Sequence, residues 1–130
     1  DPGLWGEVID LNLTVNWRLI RAMDPLLRLA PAGRAIFATS RLARDALPYY
    51  GPYAVSKAGL ETLVRIYAGE VARTSVRVNL LDPGVARTNL RARIFPGEDP
   101  ASVPPPEAVA DAFLDLAVPE CTRNGEIVTI

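Results

Sequence analysis

Three short apolar runs limit what this chain can fold into. They are RAIFATS (34–40), VRVNLL (76–81) and EIVTI (126–130), all rich in strand-forming residues. Between and before them lie stretches whose apolar residues recur at helical spacing. Residues 1–30 read as helix, with Asp1 as N-cap, Pro2 at the first helical position and Trp5, Val8, Ile9, Leu13, Leu19, Ile20, Met23, Leu26 and Leu27 recurring at helical spacing. Pro25 predicts a kink or a split in that helix. Pro52 opens a second helix, running to about Arg73. A short third helix spans 106–117, and Asn124-Gly125 turns the chain into the last strand. Residues 84–105, with FPGEDPASVPPP, read as an irregular lid or linker. The loop reading extends to RLARDALPYYG after the first strand.

The order helix, strand, helix, strand, helix, strand requires crossovers. Crossovers of this kind are right-handed and lay helices over a parallel sheet. The expected fold class is therefore α/β, with about three parallel strands. Three strands leave an apolar sheet edge open, which predicts further strands upstream of residue 1.

Composition removes several functions. The length of 130 residues suits one domain, and the net charge of −1 gives no electrostatic footprint for nucleic acid or an anionic membrane. Histidine is absent, which excludes Ser-His-Asp and Cys-His catalysis and any histidine metal site, and no metal is expected. Cys121 is the single cysteine, so it has no disulfide partner within the chain and reads as an inert filler in a reducing compartment. No apolar run is long enough to cross a bilayer. A cytoplasmic location is the expectation.

One side chain stands apart. Of 14 basic residues, Lys57 alone is lysine. Tyr53 precedes it by four residues, so on a helix the two share a face. A nearby ammonium favours the phenolate and is expected to lower the tyrosine pKa, making Tyr53 a proton donor and acceptor. A compact ammonium also reaches a ribose hydroxyl where a planar guanidinium fits worse. Tyr and Lys four apart are commonplace as a surface pair, so the pair acquires meaning only in company. Ser40 closes the first strand thirteen residues before Tyr53, and the carboxyl ends of parallel strands are where ligands sit. DPGVART (82–88) follows the second strand, with Gly84 open to close approach and Thr88 offering a hydroxyl. Asn12 interrupts an apolar helix; spacing leaves open whether it faces solvent or a site.

In this order and spacing, LNL around Asn12, ATS at 38–40, YAVSK at 53–57 and VRVNLLDPGVART at 76–88 resemble the short-chain dehydrogenases/reductases. The resemblance covers essentially the whole chain, and RARIFPGEDP is similar to a segment of one bacterial subgroup. It implies a Rossmann-type doubly wound parallel sheet and an NAD- or NADP-dependent oxidoreductase acting on a small alcohol or carbonyl. Tyr53 is then general acid and base. Lys57 lowers its pKa and holds the nicotinamide ribose. Ser40 binds the substrate oxygen, and Asn12 anchors a water that relays protons to Lys57. Pro83, Gly84, Val85 and Thr88 line the cofactor. The helices at 4–29 and 52–73 pack against a partner subunit in a homodimer or homotetramer. Substrate contacts are expected within 87–105; Arg91 and Arg93 there could meet an acidic substrate, but two arginines in a mobile loop are more often simply solvated.

The family's Gly-rich dinucleotide turn is absent from these residues. Residues 1–130 are therefore expected to be the carboxyl-terminal part of a single Rossmann-type domain, without its amino-terminal dinucleotide-binding half. The alternative is a truncated, non-catalytic assembly piece.

Overall fold

The structure, a computed structural model, describes residues 1–130. The chain opens with α1 (Pro2–Ile9), capped by the Asp1 carboxylate, which accepts from the Gly3 amide at 2.9 Å. A π turn at Asp10–Thr14 follows, in which the Val15 amide donates to the carbonyl of Asp10. The helix then resumes as α2 (Val15–Leu29). The interruption is at Asn12, not at Pro25 as the sequence predicts; α2 runs through Pro25 unbroken. Pro25 and Arg21, one turn back, are both exposed, so the Arg21 carbonyl that loses its partner is open to water. The widened turn, by contrast, is part-buried: the side-chain amide of Asn16 donates to the Asn12 carbonyl at 2.8 Å.

Strands β1 (Arg34–Ala38), β2 (Arg77–Asp82) and β3 (Ile127–Thr129) form one parallel sheet in the order β1-β2-β3. Ala35 lies opposite Val78, and Leu81 opposite Val128. Helix α4 (Gly51–Glu70) covers one face. Its Leu60, Val64, Tyr67 and Ala68 pack with Val71, Val76, Val78 and Leu80, while Leu13, Ile20 and Leu27 close the cluster from the α1–α2 side. Strand side chains alternate between faces, and Leu81 stands outside that cluster. Helix α6 (Ala110–Ala117) packs on β1 and β2 with Leu116 buried, also outside it. Helices on both faces of a parallel sheet are the doubly wound arrangement.

Two short helices occupy stretches expected to be loop. Helix α3 (Leu42–Asp45) follows Ser40, whose hydroxyl accepts from the Leu42 amide at 3.2 Å; Ala46, with φ of 49°, ends it. Helix α5 (Asn89–Ile94) is capped by Thr88, whose hydroxyl accepts from the Arg91 amide at 3.1 Å. Both are a turn or two long and start on local amide-to-hydroxyl bonds that apolar periodicity does not show; only α5 has a true side-chain cap, Thr88. The expected helix at 106–117 begins as a 3₁₀ turn, Pro106–Val109, before α6. No helix is long and apolar enough to cross a membrane.

The turn into β3 is held by two asparagines. Asn124 accepts from the Val78 amide at 2.9 Å and donates to the Ala68 carbonyl at 2.8 Å. Asn79, 1 % exposed, donates to the Arg123 carbonyl and accepts from the Glu126 amide. Gly125 holds φ of 73° between them.

Candidate functional site

Strand β1 stops at Ala38, and Thr39 and Ser40 lead into α3. Helix α4 begins at the same end of the sheet and carries Tyr53 in its first turn. The Ser40 hydroxyl lies against the Tyr53 phenol and works to lower its pKa. Lys57 Nζ donates to the Ala38 carbonyl at 3.0 Å and stands 5.9 Å from the Tyr53 ring centroid. Ser40, Tyr53 and Lys57 thus converge at the carboxyl end of β1, as the thirteen-residue spacing predicts.

The electrostatics differ from expectation. Burial pushes the Tyr53 pKa up; the Ser40 contact opposes this, and the charge of Asp82 adds to the rise. The expected lowering by Lys57 is absent from this balance. Its ammonium is engaged by the Ala38 carbonyl, and burial pushes its own pKa down. Tyr53 is therefore a protonated phenol across neutral pH in this state, a donor rather than an acceptor.

Asn12 does not face solvent. It is half-buried, and its amide donates to Ser56 Oγ at 3.1 Å. Ser56, fully buried, donates in turn to the Tyr53 carbonyl at 2.7 Å. The π turn of the first helix thereby braces the first turn of α4, one residue before Lys57. Asn12 reaches Ser56 rather than Lys57 itself.

Strand β2 delivers the other half of the site. Asp82 is 2 % exposed and its Oδ1 accepts from the Gly84 amide at 3.1 Å, an Asx turn that sends the chain outward. Gly84 takes φ of 65°, which favours glycine, and the only atom near an added Cβ is the Ile130 carbonyl oxygen at 3.7 Å. Pro83 is half-buried; Val85 and Thr88 are exposed beyond it. This open backbone, with the hydroxyl proton of Thr88 free to donate and Lys57 carrying two further N–H donors, fits a phosphate- and hydroxyl-rich ligand.

Arg91 is already neutralised. Its guanidinium makes two 2.9 Å bonds to the Glu98 carboxylate and stacks 3.9 Å from the Phe95 centroid. The pair raises the Arg91 pKa and lowers that of Glu98. Arg91 is thus paired within the chain rather than simply solvated, and Arg93 is exposed. A cavity of ≈ 150 Å³ lies beside this pair, lined by Arg87, Thr88, Phe95 and Val103 among others, and none of Ser40, Tyr53 and Lys57 lines it.

Sequence reasoning missed two buried carboxylates, Glu61 and Asp82, bridged by the partly exposed Arg44. Arg44 on α3 bonds both Glu61 on α4 and Asp82 Oδ2, the latter at 2.7 Å, and Thr39 donates to Glu61 at 2.7 Å. The available signal was Glu61, a carboxylate inside the buried stripe of α4, between Leu60 and Val64.

A hydroxyl, a phenol and an amine gather where the parallel strands of a doubly wound sheet end, the place where ligands sit in such folds. Residues 2–102 match the family model described as enoyl-(acyl carrier protein) reductase. The chain is 33 % identical over 124 residues to Uncharacterized oxidoreductase YciK of Escherichia coli K12, covering 95 % of this chain and 49 % of that protein. Dehydrogenase/reductase SDR family member 4 of Bos taurus is 35 % identical over 98 residues, 75 % of this chain and 34 % of that one. A short chain dehydrogenase of Escherichia coli CFT073, solved in complex with NADPH, superposes with a TM-score of 0.93 at 32 % identity, over 99 % of this chain and 54 % of its own. The chain belongs to the short-chain dehydrogenase/reductase family. It spans about half the length of YciK and of the NADPH complex.

Proposed function

We propose that these residues form the catalytic, carboxyl-terminal part of one Rossmann-type domain that reduces a carbonyl, or oxidises the corresponding alcohol, with NADP(H) or NAD(H). The observation that carries the reading is the convergence of the Ser40 hydroxyl and the Tyr53 phenol at the end of β1, with Lys57 one helical turn on. NADPH in the Escherichia coli CFT073 relative favours the phosphorylated dinucleotide.

The nicotinamide, when bound, supplies or accepts the hydride. The chain does the rest. Ser40 donates a hydrogen bond to the substrate oxygen and Tyr53 gives that oxygen its proton, so that the carbonyl carbon gains hydride and the oxygen gains H⁺. Lys57, held beside the ring by the Ala38 carbonyl, turns its remaining donors to the ribose hydroxyls. Asn12 fixes the start of α4 through Ser56 and anchors a water that returns the proton by way of Lys57. Pro83, Gly84, Val85 and Thr88 take the nicotinamide and phosphate side. In the alcohol-to-carbonyl direction Tyr53 must first give up its own proton through Lys57 and water, and the tyrosinate then takes the alcohol's, so this direction is favoured as pH rises.

A second reading has its own observation. Trp5, Trp17, Met23, Leu26 and Leu29 on α1–α2, with Val55 and Ile66 on α4, are exposed. Apolar surface of this kind suits a subunit interface, so the same helices serve a homodimer or homotetramer, and on this reading a chain without turnover acts as an assembly piece. Following NADPH oxidation by the full-length protein against a panel of aldehydes and ketones separates the two. Carbonyl-dependent oxidation, lost in Ser40→Ala, supports the enzyme; no oxidation with any carbonyl, alongside a stable oligomer, supports the second.

A further inference from the structure

The charges behind Tyr53 come from three segments far apart in sequence. Arg44 lies four residues after Ser40. One arm of its guanidinium donates to Glu61, two turns beyond Tyr53 on α4, and the other to Asp82, at the end of β2, at 2.7 Å. Thr39 donates to the same Glu61 oxygen, and the free Asp82 oxygen accepts from Gly84. Glu61 and Asp82 are 7 % and 2 % exposed. Two carboxylates so buried are costly unless paired, and Arg44 is the group that pairs both.

We propose that Arg44 is a positioning residue for this site: by bonding Glu61 and Asp82 at once it ties the Ser40 segment, the Tyr53 helix and the Gly84 turn into one unit, and it offsets the carboxylate that faces the phenol. The proposal rests on reading Tyr53 as the proton-transfer group. The charged groups around that phenol are Lys57 on its own helix and Asp82 on β2, with Arg44 of α3 and Glu61 of α4 behind Asp82. Asp82 already makes the phenol harder to ionise. Without Arg44 its charge is bare, and the phenol becomes harder still to ionise. Without the Asp82 charge the phenol ionises more readily.

The test is an alkaline titration of Tyr53, read as the tyrosinate absorbance of the full-length protein minus that of Tyr53→Phe. It needs no substrate. Arg44→Gln should move the Tyr53 transition to higher pH and Asp82→Asn to lower pH. The double variant should lie nearer the parent than Arg44→Gln does. Arg44→Lys, which keeps the cation, should move it less than Arg44→Gln. Misplacing Ser40 against Tyr53 should also lower kcat/KM in Arg44→Gln by about 10–100-fold. If Arg44→Gln does not fold, Asp82→Asn and Arg44→Lys carry the same comparison. Coincident titrations for parent, Asp82→Asn and the Arg44 variants would overturn the proposal. Turnover retained in Tyr53→Phe would instead remove the proton-transfer reading, and the titration would still decide what Arg44 does to the phenol.

Discussion

Lys57 carries an amine where the chain otherwise uses arginine, and its surroundings give a reason. The ammonium is threaded to the Ala38 carbonyl at 3.0 Å beside the Tyr53 ring. An ammonium can rotate its remaining donors toward a ribose, whereas a guanidinium is larger and fixed in a plane. Lys57→Arg should therefore lower kcat/KM by about 10²–10⁴-fold in the full-length protein although the charge is kept. Steady-state kinetics on a variant shown folded by circular dichroism checks this, and activity within about threefold of the parent would make Lys57 an ordinary surface charge. The pH dependence follows from the raised Tyr53 pKa. Reduction uses the protonated phenol, so it should hold through neutral pH and fall only as pH rises through that raised value; a fall beginning below pH ~8 would contradict it. The residue types of this site were legible in the sequence because their chemistry is local: hydroxyl, phenol and amine at fixed spacing. The direction of the Tyr53 shift was not, because it depends on burial and on Asp82, a residue indistinguishable in sequence from an ordinary turn aspartate.

At the scale of elements, the three strands and the long helices were legible from period and length. The π turn was not: it arises from how Asn12 meets Ser56 and Asn16, contacts that no periodicity encodes. Two glycines test how closely the elements approach. A Cβ on Gly33 would lie 2.4 Å from the Leu27 carbonyl oxygen, a backbone atom with nowhere to go. Gly33→Ala should destabilise the protein by about 2–3 kcal/mol in urea unfolding. A Cβ on Gly59 would meet only Leu13 Cδ2, at 2.9 Å, the far end of a side chain that can turn away. Gly59→Ala should stay within about 1 kcal/mol of the parent, helped by the helix propensity of alanine. Equal effects of the two would contradict the packing described. Asn79 is a similar case. It supplies two of the bonds that hold the 123–126 turn against β2, so Asn79→Ala strands a carbonyl and an amide and should cost about 2–4 kcal/mol.

The whole molecule has one covered side and one apolar side. Helix α4 shields the sheet, while α1–α2 turn Trp17, Met23 and Leu26 outward at 44 %, 44 % and 59 % exposure. If α1–α2 form the subunit interface proposed above, replacing Trp17 and Leu26 together by glutamate should shift the full-length protein to a smaller species in sedimentation velocity, because charge cannot be buried in an apolar interface at low cost. An unchanged sedimentation coefficient would place the subunit contact elsewhere. Family membership reaches across nearly the whole chain, and the chain spans about half of YciK, a relative it matches over 95 % of its own length. The central claim is that the Tyr53 phenol moves the proton. Its most direct measurement is the rate of carbonyl-dependent NADPH oxidation by full-length parent and Tyr53→Phe, a change that removes one oxygen and keeps the ring. The account predicts a loss of about 10²–10⁴-fold in kcat with NADPH affinity little changed. A Tyr53→Phe enzyme turning over within about threefold of the parent would contradict it.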